Sequence, residues 1–142
     1  MVDRNIILAK AGSVKRHLNR VIEKCDTDLQ TFLNDLDRQD SILFNLQMAI
    51  QNCIDIAAHI ISEEGCGAPG STNEMFYLLE ERGYLDGSLT EKMVAAVGFR
   101  NLIVHEYGKV DLKQVFEVAR KDIEDLNEYL RSIFKKLNIV DN

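Results

Sequence analysis

Leu43-Phe44-Asn45-Leu46-Gln47-Met48-Ala49-Ile50-Gln51-Asn52-Cys53-Ile54-Asp55-Ile56-Ala57-Ala58-His59-Ile60 sets Leu43, Leu46, Ile50, Cys53, Ala57 and Ile60 at alternating spacings of three and four residues. A helix turns once in about 3.6 residues, so this rhythm is the seam of an amphipathic helix lying nearly parallel or antiparallel to a partner. Ile7, Ala11, Val14, Leu18, Val21 and Cys25 repeat it upstream, and Leu112, Phe116, Ala119, Ile123, Leu126, Leu130, Ile133 and Leu137 repeat it downstream. Three such seams and one further apolar helix predict an all-α, antiparallel bundle of four to five main helices.

Working outward, the first seam predicts a helix over residues 4–25. A turn or two of helix follows around residues 28–36, and Asp37 or Asp40 caps the long one. The glycines and proline of Gly65-Cys66-Gly67-Ala68-Pro69-Gly70 break the chain into a flexible loop. Ser71 and Glu74 have the spacing of a capping box, so a short helix should run over residues 72–82 and stop at Gly83. Ser88 or Thr90 caps the next helix, which Gly108 ends, and Asp111 caps a long final helix running to Leu137. The whole chain, residues 1–142, reads as one domain, of a length that supports a modest core.

No segment approaches the roughly 20 consecutive apolar residues that span a membrane, and Met1-Val2-Asp3-Arg4-Asn5 lacks the flank and apolar run of a signal peptide. The expectation is a cytoplasmic protein with no membrane contact. Cys25, Cys53 and Cys66 are odd in number and widely spaced, so neither a disulfide framework nor a metal site is read from them. Cys25 and Cys53 fall on apolar stripes as packing residues. A net charge of −6 excludes a protein that grips nucleic acid over its whole surface. Any such contact must be local. Residues 1–24 carry six basic residues against two acidic ones, with Arg16, Arg20 and Lys24 recurring every fourth residue. That ridge reads first as a solvated face.

The helix before Gly108 has a different character. Its Arg100-Asn101-Leu102-Ile103-Val104-His105-Glu106-Tyr107 places a guanidinium, an amide, an imidazole and a phenol in an otherwise apolar segment. At about 100° per residue, Asn101 and His105 share one face, while Arg100 and Tyr107 share another if the helix persists. Val94, Ala95, Val97, Phe99, Leu102, Ile103 and Val104 spread around nearly the whole circumference, so this helix should be packed on more than one side. Arg100, Asn101, His105 and Tyr107 then line either a protein-walled pocket or a subunit interface. Gly98, near the Asn101 and His105 face, would let another backbone or a substrate come close. His59, among apolar neighbours, reads as a hydrogen-bonded core histidine, and His17, beside Arg16, as a surface one.

This stretch resembles the Arg-x4-His-x-Tyr motif of the HEPN superfamily, and specifically the HepT-like toxins, small helical ribonucleases paired with a nucleotidyltransferase antitoxin of the MntA type. The run from Gly98 to His105 fits the pattern, as does Arg38-Gln39-Asp40 leading into a helix that ends Ala57-Ala58-His59-Ile60-Ile61-Ser62. The resemblance implies a HEPN-like bundle that forms a homodimer with both motifs facing one cleft, and an RNA substrate, transfer RNA being what the family implies. It also implies that AMP is attached to the motif tyrosine, here Tyr107. In this reading Arg100 and His105 supply the phosphate-binding cation and the acid or base of a metal-independent endoribonuclease leaving a 2′,3′-cyclic phosphate. Asn101, one turn before His105, would orient the imidazole or the substrate. No metal and no cofactor are expected. The competing reading is a non-catalytic partner that presents substrate to a nucleotidyltransferase.

Overall fold

The computed structural model describes residues 1–140, and among these no strand occurs. Helices α1 (Arg4–Cys25), α2 (Leu29–Leu33), α3 (Leu36–Glu63), α4 (Thr72–Glu81), α5 (Gly87–His105), α6 (Leu112–Glu117) and α7 (Ile123–Leu137) follow in order, with a π-helical turn Val118–Asp122 joining the last two. None is long and apolar enough to cross a membrane. The bundle predicted from the three seams is therefore the fold, with α1, α3, α5 and the α6–α7 rod as its main members.

Helices α1 to α6 each start where a carboxylate or hydroxyl takes unpaired amides of the first turn, whereas α7 runs on from the π turn without a side-chain cap. Asp3, Asp28 and Asp111 cap α1, α2 and α6 through their own side chains. Two caps differ from the sequence expectation. Asp35, not Asp37 or Asp40, accepts the Arg38 amide and opens α3. Asp86, not Ser88 or Thr90, accepts the Leu89 amide and opens α5, while the buried Thr90 hydroxyl turns back onto the Asp86 carbonyl. In both places an aspartate upstream holds extended backbone, which a cap requires and a residue already inside the helix lacks. Ser71 caps α4 as expected, but the Glu74 carboxylate takes the Gly70 amide. Gly83, at φ +82°, closes α4 with a Tyr84 amide to Leu79 carbonyl bond, a left-handed position that a side chain would strain.

Antiparallel packing of α1 on α3 is the largest contact in the fold. The α1 seam of Ile7, Ala11, Val14, Leu18, Val21 and Cys25 is entirely buried, as are Leu43, Leu46, Ile50, Cys53, Ala57 and Ile60 across from it. Polar ties flank the seam at every seventh residue of α1 and its cap. The Asp3 amide donates to His59 Nε2 at 3.0 Å, Lys10 meets Asp55 at 3.2 Å, His17 Nδ1 lies 2.8 Å from Asn45 Oδ1, and Arg38 donates to the Lys24 carbonyl at 2.7 Å. Thus His59 is hydrogen-bonded as expected but only half-buried, anchoring the start of α1, and His17 is half-buried rather than on the surface. Arg16, Arg20 and Lys24 are exposed, the solvated ridge anticipated.

The final seam is also buried from Phe116 to Ile133, although the π turn interrupts the α-helix that the four-three rhythm predicts as continuous. Tyr129, fully buried, donates its hydroxyl to the Cys53 carbonyl at 3.0 Å and stands edge-on to Phe76. Cys25 and Cys53 are buried free thiols whose ionisation burial pushes up, the packing role predicted for them. Leu46, 1% exposed at the heart of the α3 seam, tests this assignment. Leu46→Ala should cost about 2–5 kcal/mol of unfolding free energy in urea denaturation, and a loss under about 1 kcal/mol would mean that the seam is not the core.

Candidate functional site

Helix α5 buries Leu89, Thr90, Met93, Val97, Phe99 and Ile103 against the rest of the bundle. On the opposite side Glu91, Ala95, Gly98, Asn101, Leu102 and His105 are exposed. The expected all-round packing is therefore incomplete within one chain: a contiguous strip of α5 stays open. Gly98 lies in the middle of it, and a Cβ built there would meet nothing within 4 Å. Leu102, 40% exposed, and Ala95 make the strip apolar on one edge, and Asn101 and His105 make it polar on the other.

Arg100 points a different way. Half-buried on the α3 side, its Nη2 donates to Gln51 Oε1 at 2.7 Å and its Nη1 to Asn101 Oδ1 at 3.0 Å. The Gln51 amide passes the interaction on, donating to Asp55 Oδ1 at 2.9 Å, and Asp55 in turn pairs with Lys10. A relay of half-buried residues running Arg100, Gln51, Asp55, Lys10 thus fixes the guanidinium. The Arg100 Nε is buried without a hydrogen-bond partner among the described residues, so the two terminal nitrogens carry the whole tether. Gln51 is the residue that sequence reasoning missed. Its signal was a polar pair one turn apart, Gln51 and Asp55, within the apolar middle of α3.

His105 is the last residue of α5 and is exposed, its ring bonded to no described residue. The Asn101 carbonyl oxygen, one turn earlier, is taken by Arg100 rather than by the imidazole. Within one chain the structure therefore joins Arg100 to Asn101 and leaves His105 apart, on the open strip.

Tyr107 departs most from the sequence expectation. The helix ends at His105 rather than reaching Gly108, with Glu106 at φ −136° and a short 3-10 turn over Tyr107–Lys109. Tyr107 consequently leaves the helical face of Arg100 and swings to the start of α3, where its hydroxyl donates to Asp40 Oδ1 at 2.5 Å. Gln51 and Asp40 lie three turns apart on α3, so the guanidinium and the phenol are held at separate points. The ring remains 48% exposed. Burial of the hydroxyl and the hydrogen bond to Asp40 push the phenol up from its ordinary value of 10.0 to about 12. Among the described residues no three His, Cys, Asp or Glu side chains group to hold a metal ion.

Comparison with known proteins gives a consistent picture. The family model described as Ribonuclease HepT-like matches residues 14–133. The mRNA nuclease HepT of Shewanella oneidensis is 33% identical over 126 residues, covering 89% of this chain and 94% of that protein. The tRNA nuclease HepT of Aphanizomenon flos-aquae is 28% identical over 128 residues, covering 90% and 87% respectively. Among solved structures, the tri-AMPylated Shewanella oneidensis HEPN toxin in complex with MNT antitoxin superposes with a TM-score of 0.84 at 32% identity, covering 92% of this chain and 97% of that one.

A phenol held by a carboxylate has a measurable signature. Difference titration at 295 nm, wild type minus Tyr107→Phe, should place the Tyr107 midpoint near 12. Asp40→Asn should bring it down, though not fully to the ordinary value, because burial is the larger cause and persists. The folded state holds the proton more tightly than the unfolded one, so the stability Tyr107 lends is complete below about pH 10 and is lost as pH rises through about 12. A midpoint unmoved by Asp40→Asn would show that the hydrogen bond does not persist in solution.

Proposed function

Because this chain belongs to the HepT-like ribonuclease family, we propose that it is the toxin of a toxin–antitoxin pair, an RNA endonuclease whose site is completed by a second copy and silenced by AMP on Tyr107. The observation that carries this reading is the open strip of α5. It offers His105 to solvent beside Gly98, with Arg100 held at its flank by Gln51 and Asn101. The whole chain, residues 1–142, serves as one HEPN-like domain.

Cleavage without a metal requires a base for the ribose 2′-hydroxyl, an acid for the departing 5′-oxygen and a cation for the charge gathering on the phosphorus oxygens. One chain has a single His105. Two copies related by a twofold axis, meeting along the α5 strips, bring two imidazoles and two guanidiniums to one cleft. One imidazole then takes the 2′-hydroxyl proton as that oxygen attacks phosphorus, and the other protonates the 5′-oxygen as its bond to phosphorus breaks. The product ends in a 2′,3′-cyclic phosphate. Arg100, pinned on α3, keeps a permanent charge beside the phosphate without having to be ordered by it. The acidic protein as a whole repels RNA, so affinity is confined to this cleft. The substrate is RNA, transfer RNA being the expectation, and the site of action is the cytoplasm, where RNA and ATP are found.

An MntA-like nucleotidyltransferase antitoxin supplies the control. Tyr107 lies two residues beyond His105 on an exposed turn, so AMP added there sets a bulky phosphate at the mouth of the cleft. That charge opposes the RNA backbone. Relatives named for mRNA and for tRNA cleavage, and one AMPylated toxin bound to its antitoxin, support both halves of the reading.

Arg100→Ala and His105→Ala should each lower RNA cleavage by on the order of 10²-fold or more with helicity retained, since each removes a group acting in the transition state. Wild-type activity should survive EDTA and leave cyclic phosphate ends. A double variant that cuts as fast as wild type, or cleavage abolished by the chelator, would refute the site or the mechanism respectively.

Sedimentation at micromolar concentration should show a dimer. Leu102→Glu, which buries a charge in the apolar edge of the strip, should shift it towards monomer and lose nuclease activity in step. A wild-type monomer that still cleaves would mean that one chain is sufficient.

A further inference from the structure

The tripeptide Arg38-Gln39-Asp40 opens α3, and its first two members are accounted for by the fold. Arg38 ties the helix to the Lys24 carbonyl and to Asp35, and Gln39, buried, donates to the Phe32 carbonyl at 2.8 Å. Asp40 does neither. Exposed at the rim, its hydrogen bond among the described residues is with the Tyr107 hydroxyl, 67 residues away in sequence.

We propose that Asp40 is the base for modification of Tyr107, accepting the phenolic proton as AMP is transferred to that oxygen. The inference rests on the reading of Tyr107 as the site of AMP addition. In the step, Tyr107 Oη attacks the α-phosphorus of ATP bound with Mg²⁺ on the nucleotidyltransferase. The Oη–P bond forms, the bond from that phosphorus to the bridging oxygen breaks, and pyrophosphate leaves with the electron pair. The proton passes from Oη to Asp40 Oδ1 and then to water.

The geometry suits this timing. A carboxylate is far too weak a base to ionise the resting phenol, whose proton burial and Asp40 make harder to remove. As the Oη–P bond develops, the oxygen becomes strongly acidic, and a carboxylate already within hydrogen-bond distance takes the proton at that moment. Until then Tyr107 stays neutral and held by Asp40, with its hydroxyl lone pairs available to the nucleotide. Asp40 thus belongs to this chain's role as a substrate of its antitoxin, separate from the Arg100 and His105 chemistry.

The test follows AMP incorporation into the full chain by intact mass and peptide mapping, with the nucleotidyltransferase, ATP and Mg²⁺, from pH 6 to 9. Asp40→Asn should slow modification of Tyr107 by on the order of 10²-fold near neutral pH. The deficit should shrink as pH rises, because solvent hydroxide then replaces the missing base. Asp40→Glu, which restores a carboxylate, should recover much of the rate and guards against loss of fold in the amide variant. A wild-type rate for Asp40→Asn overturns the proposal, and so does a deficit equal at every pH, which would mark Asp40 as a residue that only orients the ring. If wild type takes AMP on a different residue, as Tyr107→Phe still being modified would reveal, the underlying reading fails and Asp40 falls with it.

Discussion

The antiparallel register of α3 is the constraint on which the rest of the molecule depends. One helix of 28 residues contacts α1 along its whole length and also receives both ends of the motif. Against α1 the register is locked by burial of the apolar seam, with His59, Asp55, Asn45 and Arg38 meeting their partners at heptad intervals. Exposed or half-exposed ties of this kind contribute little individually. Their value is in specificity, since a slip of one turn would break all of them while leaving much of the apolar seam paired.

On its other side α3 presents Gln51 to Arg100 and Asp40 to Tyr107. Both of these candidate side chains are therefore positioned by α3 rather than by the loop that follows α5. Bringing a guanidinium halfway into a protein is costly unless its donors find acceptors, and Gln51 meets one at 2.7 Å while Asp55 and Lys10 stabilise Gln51 in turn. In the proposed site, preorganisation of this sort would let Arg100 meet a phosphate without first spending binding energy to order the cation. By contrast His105 stands exposed at the last position of α5, where the proposed mechanism has it exchange a proton with a group that arrives from outside.

The bundle was legible because burial writes a three-four spacing into each long helix, and every member of the α1 and α3 seams lies in the core. The caps of α3 and α5 were misjudged because several aspartates, serines and threonines stood within reach of each start. Which of them caps depends on where the preceding turn leaves the backbone extended. The incomplete packing of α5 was also hidden, since apolar residues around a circumference do not say whether the chain itself or a second copy covers them. Gln51 escaped notice, and Asp40 was read as a cap rather than as the partner of Tyr107, because a polar residue on a helix reveals its partner only once another helix is laid beside it.

By itself, then, the sequence determined the helical class and the approximate span of the long helices, and it singled out Arg100, Asn101, His105 and Tyr107 as candidates, because these follow from local periodicity and from side-chain chemistry read in order. Tertiary structure decided which of those residues meet. It ended α5 at His105, turned Tyr107 away from Arg100 and onto Asp40, gave Asn101 to the guanidinium rather than to the imidazole, and left the Gly98 strip open. The physical reason is that pairing across helices is set by the register in which distant seams pack. That register comes from the sum of many burials along α1, α3 and α5, and no single stretch of sequence contains it.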